Sequence, residues 1–238
     1  MTKPFYKDKA STFSSSIWPG LVIHHAEDHL LLLPPVSLDC LSSAVYGGGH
    51  NRVERIVNWQ VPRTYDCGDP QEDFKLRLEH WGYKTEASVG LQTAAVIAGG
   101  SVFEEVGDCF RIVVCTTSGT GNAARAGFGR EVYSAYQAGT INTVILIDGR
   151  MTFPAMVNAM ITATEAKAAA LQDLGILDPV NRLIATGTTT DAVVIAVSQS
   201  MDYQQTHAYA GTATTVGDAI GRLVYASVLE ATVVSSPK

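Results

Sequence analysis

The chain has 238 residues, with 46% hydrophobic and 17% charged side chains and a formal charge of −6. That is the composition of an ordinary soluble globular protein, long enough for a substantial core, and it excludes intrinsic disorder. The acidic balance argues against nucleic acid as a partner, because such binding rests on clustered Lys and Arg.

Residues 1–16 are polar and serine-rich, and they read as a flexible leader before a single domain over 17–238. They lack the apolar stretch of a signal peptide, and Leu30–Pro35 is too short to span a bilayer. A cytoplasmic protein without membrane contact is expected. Leu21–His25 and His29–Leu33 flank Ala26-Glu27-Asp28 and predict a hairpin, ended by Pro34-Pro35. Arg52–Val61 follows Gly47-Gly48-Gly49 and predicts another strand. A helix is expected from Asp69, with Pro70 at its first position and Glu72 three residues after the cap. Phe74, Leu78 and Trp81 then share one face, and Gly82 marks the stop. Val102–Val106 and Phe110–Cys115 bracket Gly107-Asp108 as a second hairpin.

The second half alternates strand and helix. Ile141–Ile147 is a continuous apolar run. The helix expected over 153–174 places Met156, Met160, Ala163, Ala170 and Leu174 on one face and stops at Gly175. Ala192–Val197 is a second apolar run. A last helix opens with a capping box at Thr215-Val216-Gly217-Asp218 and buries Ile220, Leu223, Val224 and Val228. Strand, long helix, strand is a crossover unit, usually parallel. The fold class is therefore α/β, a single domain with a mixed sheet. It carries β-hairpins in the N-terminal half and a βαβ crossover in the C-terminal half.

Familiar catalytic motifs are missing. The cysteines at 40, 67, 109 and 115 form no Cys-x-x-Cys pair, so no zinc site is expected and buried reduced thiols are the reading. His24 and His25 point to opposite faces of a strand, so with His29 they read as hairpin polarity and not as metal ligands. Gly119-x-Gly121-x-x-Ala124 is similar to a dinucleotide-binding turn. However, Gly127 and Gly129 interrupt the segment that follows, and only Asp148 stands near the expected acidic position.

Three polar turns carry more information: Thr116–Asn122, Gly139–Asn142 and Thr186–Asp191, each beside an apolar strand-like run. Glycine lets backbone approach a ligand closely, while Thr and Asn supply neutral donors and acceptors, a combination suited to amides and hydroxyls. His50 and His207 follow or precede other probable ligand loops and are candidate proton carriers. Glu165 and Lys167 interrupt an alanine-rich helix, two residues apart and pointing in different directions. Lys167 lies near the apolar stripe, so it either snorkels outward, the commoner outcome, or is buried with a partner at a site. Asp191 ends a threonine run just before a buried strand, where it either caps a turn or acts as a base.

At these residues the chain resembles the adenosylcobinamide amidohydrolase family. The matching stretches are Leu41–Ala44 with Gly47–Gly49, Val57–Val61, Gly90–Ala94, and Ser118-Gly119 with Asn122-Ala123. Gly139–Asn142, Glu165–Lys167, Ala185–Asp191 and Tyr209–Thr212 continue the series in order. Ser118 departs from the pattern, which has alanine there. The resemblance implies hydrolysis of the amide that links aminopropanol to adenosylcobinamide, leaving adenosylcobyric acid for cobalamin salvage. It implies a corrinoid as substrate and no separate cofactor.

Within that reaction Glu165 or Asp191 is the expected base, for a water or for the hydroxyl of Thr188 or Ser118. Lys167 donates a proton or stabilises charge. Asn58, Asn122 and Asn142, with N–H groups at Gly119 and Gly187, bind substrate amides or the oxyanion. A non-catalytic corrinoid or small-ligand binding protein using the same loops is the competing reading, and a nucleotide-dependent enzyme built on the Gly119 turn is a third. A homo-oligomer is compatible with this composition.

Overall fold

The computed structural model describes residues 2–8, 10–130 and 140–235. Its N-terminal half contains β1 (Thr12–Ser14), β2 (Val22–His25), β3 (His29–Leu33), β4 (Leu38–Ser42), β5 (Gly49–Val53) and β6 (Arg55–Gln60). Then come α1 (Pro70–His80), β7 (Ser88–Thr93), β8 (Ser101–Gly107), β9 (Phe110–Ser118) and β10 (Ala123–Ala124). The rest comprises β11 (Ile141–Gly149), α2 (Phe153–Asp173), β12 (Gly187–Thr188), β13 (Ala192–Val197) and α3 (Thr215–Ser235).

These elements build two packed sheets. One has the order β1-β2-β3-β6-β7, the other β5-β4-β13-β11-β9-β8, and β10 with β12 forms a short separate ribbon. Alternation along each strand sorts the side chains between layers. Val113 and Cys115 of β9 join Ile23, Leu32, Ile56 and Leu91 of the other sheet in a core between the sheets. Ile112 and Val114, one residue out of phase, pack instead with Met156 and Ala163 of α2 and with Ile220 and Val224 of α3. On the far face of the five-stranded sheet, Phe74 and Leu78 of α1 cover Leu31, Val57 and Trp59. The layers therefore run helix, sheet, sheet, helix pair. β9, β11 and β13 are buried on both faces, which is why their sequences read as unbroken apolar runs.

The βαβ crossover is present: β11 and β13 are adjacent and parallel, joined through α2. The hairpins β2–β3 and β8–β9 form with the expected partners. Helix α1 starts at the expected cap, where the Asp69 carboxylate accepts from the N–H groups of Gln71 and Glu72, worth ~1 kcal/mol.

Four features differ from the sequence reading. The strand expected over 52–61 is two strands broken at Glu54, whose N–H bonds to Ala87 C=O, and the halves enter different sheets. β6 and β7 are parallel, a second crossover through α1 in the half expected to hold hairpins. The cap of α3 is Thr214, one residue earlier than expected, because its hydroxyl accepts the Gly217 N–H at 3.1 Å. The described part of the expected leader is packed: Phe5 is buried between the sheets, and β1 pairs with β2.

Of the cysteines, Cys40 and Cys115 are buried, with burial pushing both thiols up to about 12, whereas Cys67 and Cys109 are partly exposed. No helix among the described residues is long and apolar enough to cross a membrane.

Candidate active site

The parallel strands β11 and β13 begin side by side, with Asn142 opposite Ala192. At that end the residues leading into β13, the β10–β12 ribbon and α2 enclose a cleft of about 1120 Å³. Its wall includes Asn122, Glu165, Lys167, Gly187, Thr188 and Asp191.

Asp191 is the hub of that wall. Its Oδ1 accepts the Ile141 N–H at 3.0 Å and the Thr188 hydroxyl at 2.5 Å. Its Oδ2 accepts the Thr188 N–H at 3.0 Å and pairs with the Lys167 ammonium. The threonine run folds back on itself so that the aspartate both caps a turn and presents a carboxylate, the local bonding that Asp favours in turns. Lys167 takes the less common of its two outcomes. Its side chain is 9% exposed and is held by Asp191 instead of snorkelling. It sits on a helix whose neighbouring Ala163 and Ala170 are buried in the core under the sheet.

Close packing around Gly187 makes the pair possible. A Cβ there would lie 2.9 Å from Lys167 Nζ and nearer still to Asp191 Oδ2, so a side chain would displace both. A buried ion pair is expensive to desolvate and adds little net stability. What it does supply is a carboxylate in contact with both an ammonium and a hydroxyl at a cleft wall. Those are the groups needed to move a proton during attack on a carbonyl.

Glu165 is exposed on the same wall. Asn122 donates from Nδ2 to the Thr189 hydroxyl at 2.5 Å, and its Oδ1 is buried with no hydrogen-bond partner among the described residues. A buried acceptor left without a donor suits a ligand N–H.

The model for the adenosylcobinamide amidohydrolase family matches residues 18–236. The chain belongs to this family. An adenosylcobinamide amidohydrolase of Methanosarcina mazei is 33% identical over 207 residues, covering 84% of this chain and 92% of the relative. An uncharacterised protein of Methanocaldococcus jannaschii is 30% identical over 205 residues, covering 77% of this chain and 78% of its own. Among solved structures, a Burkholderia sp. β-aminopeptidase aligns with a TM-score of 0.40 at 10% identity, over 87% of this chain and 78% of the other.

Within this amidohydrolase chain, four of the residues expected at the site lie off the cleft wall. Ser118 is 2% exposed and shares a 2.8 Å hydrogen bond with Thr232 of α3, on the helix side of the sheet. The Gly119 N–H is engaged by Thr140 C=O at 3.0 Å. Asn58 and Asn142 bond to each other between the two sheets at 2.8 Å. Gly139, at the start of the second turn, lies outside the described residues. The two candidate proton carriers are elsewhere. His50 bonds to Asp39 at 2.7 Å, and His207 pairs with Met151 just beyond the far end of β11.

Two arginines of the cleft wall were missed. Arg125 lies over the Phe128 ring and donates to Ile184 C=O at 2.8 Å, and Arg130 pairs with Asp178 at 3.6 Å. The Asp178 carboxyl is held below the usual carboxylate range, chiefly by the Arg125 N–H, and it anchors this part of the rim. Two arginines within eight residues of Asn122 were the available signal, obscured by reading that stretch as a failed dinucleotide turn. Ala123 and Ala124 form a strand paired with β12, so no helix opens there.

Proposed function

We propose that the cleft hydrolyses the amide linking aminopropanol to adenosylcobinamide, giving adenosylcobyric acid for cobalamin salvage in the cytoplasm. The observation that carries this reading is the direct contact of Asp191 with both Lys167 and Thr188 on the wall of a roomy cleft. A non-catalytic binder has no need of a buried ion pair against a hydroxyl.

In the proposed cycle the Asp191 carboxylate takes the Thr188 hydroxyl proton as Oγ attacks the amide carbon. As the C–N bond breaks, Lys167 gives a proton to the leaving amine. The Asp191–Lys167 contact then returns the proton from the carboxyl to the amine of Lys167. Water next cleaves the Thr188 ester, releasing the acid and restoring the hydroxyl. Glu165 receives the hydroxyl of aminopropanol, and Asn122 Oδ1 takes an N–H from a propionamide of the corrinoid rim. The corrinoid is the substrate, and the cycle draws on no further cofactor.

The test is incubation with adenosylcobinamide followed by mass spectrometry. Release of free aminopropanol with stoichiometric adenosylcobyric acid is expected. Binding of the corrinoid without release would favour a carrier protein, and absence of both would remove the corrinoid reading.

A further inference from the structure

Two buried amides face each other in the layer between the two sheets. Asn58 on β6 is 3% exposed and Asn142 on β11 is 1% exposed. Asn58 Nδ2 donates to the Thr117 hydroxyl at 2.8 Å, and its Oδ1 accepts from Asn142 Nδ2 at 2.8 Å. Asn142 Nδ2 also donates to Gln92 C=O of β7 at 2.9 Å. The start of β11 is thereby fastened to two strands of the opposite sheet. Ile141, the residue before Asn142, donates its N–H to Asp191 Oδ1 at 3.0 Å. On its other side, Thr140 is 2% exposed and donates to Thr190 C=O at 2.6 Å, with a longer 3.4 Å contact to Asn142 Oδ1.

Amides buried this deeply carry a desolvation cost that hydrogen bonds only offset. Replacing a fully bonded buried pair by apolar groups of the same shape is commonly near neutral for stability. A need for core stability therefore does not explain this pair, and its position does: it anchors the two residues before Asn142, Thr140 and Ile141, which bond to Thr190 C=O and to the Asp191 carboxylate.

We infer that Asn58, Asn142 and Thr140 are positioning residues. They clamp the start of β11 so that the Ile141 N–H and the Thr190 carbonyl hold the Asp191 carboxylate against Thr188 and Lys167. Neither asparagine contacts substrate, the role the sequence reading gave them. The inference rests on the amide-cleaving reading of the cleft.

Thr140→Val removes the hydroxyl and keeps the shape, while Thr140→Ser keeps the hydroxyl. In the valine variant kcat for aminopropanol release should fall on the order of tenfold to a hundredfold with KM within about twofold, since small misplacements of catalytic groups act on the chemical step. The serine variant should recover to within about twofold of the unsubstituted protein. Hydrogen exchange at the Ile141 amide should be on the order of tenfold faster in Thr140→Val and in the double variant Asn58→Leu with Asn142→Leu.

Unchanged kcat together with unchanged Ile141 exchange overturns the clamp. A raised KM with unchanged kcat overturns it in favour of substrate contact. If the unsubstituted protein releases no aminopropanol, the reaction reading falls instead, and Ile141 exchange in these variants still decides the clamp.

Discussion

The two ends of the central strands each carry a well-bonded aspartate, and the difference between them separates a fastening from a site. Asp148, near the far end of β11, accepts from Arg111 at 2.9 Å, Ser198 at 2.9 Å and the Tyr203 hydroxyl at 3.0 Å. Those donors tie this end of the sheet to the loop after β13, and none of them lines the cleft. Asp191, at the opposite end, has a comparable set of donors. Two of them, the Thr188 hydroxyl and the Lys167 ammonium, border the cleft and are of chemical types able to act in acyl transfer. Bond count does not distinguish the two ends; the chemistry of the donors and the space beside them do.

Making the same substitution at both aspartates sharpens the contrast. Asp191→Asn should lower kcat for aminopropanol release on the order of a hundredfold or more, as expected for loss of a general base. A circular-dichroism melt confirming a folded variant makes that reading secure. Activity near normal would place Asp191 with Asp148 as a structural cap.

Gly187→Ala should have an intermediate effect. The added methyl would push the mobile ends of Lys167 and Asp191 apart without meeting backbone, so turnover should drop on the order of tenfold while the melting temperature holds. A loss of stability with normal turnover would contradict the account.

Asp148→Asn should leave turnover within about twofold, yet cost roughly 1–3 kcal/mol in denaturant unfolding through weakened charge-assisted bonds. The same variant carries a pH signature. Burial first, then the bond to Asp148, push the Tyr203 hydroxyl from its ordinary value of 10.0 up to about 12. The folded protein thus keeps this proton longer than the unfolded chain does. The associated stability is whole below pH 10 and is lost as pH rises toward 12. Asp148→Asn should make that alkaline loss shallower, measured by unfolding across the same range.

Much of the frame was legible because local signals agreed with the tertiary outcome. β13 runs over the same six residues that the apolar run marked, and α2 ends beside Gly175, whose φ of +65° suits glycine. The break at Glu54 was illegible, because Val53 and Ile56 on either side of it are both buried, and nothing in those residue types marks a change of sheet.

Site residues divided in the same way. Asn122, Glu165, Lys167, Gly187, Thr188 and Asp191 meet at one cleft, where turn chemistry and strand ends pointed. Ser118 and Asn142 also sit at or near strand ends, but strand parity and the second sheet turn them inward, which no single-strand pattern reveals. Lys167 was undecidable from its helix alone, since its partner lies 24 residues later in the chain.

The most direct measurement is the rate of aminopropanol release from adenosylcobinamide by Thr188→Val beside the unsubstituted protein. The valine keeps the turn's shape and deletes the attacking oxygen. Release slower on the order of a hundredfold or more, with an unchanged melting temperature, is the predicted result. Equal rates in the two proteins would contradict the assignment of Thr188 as the group that takes the acyl chain.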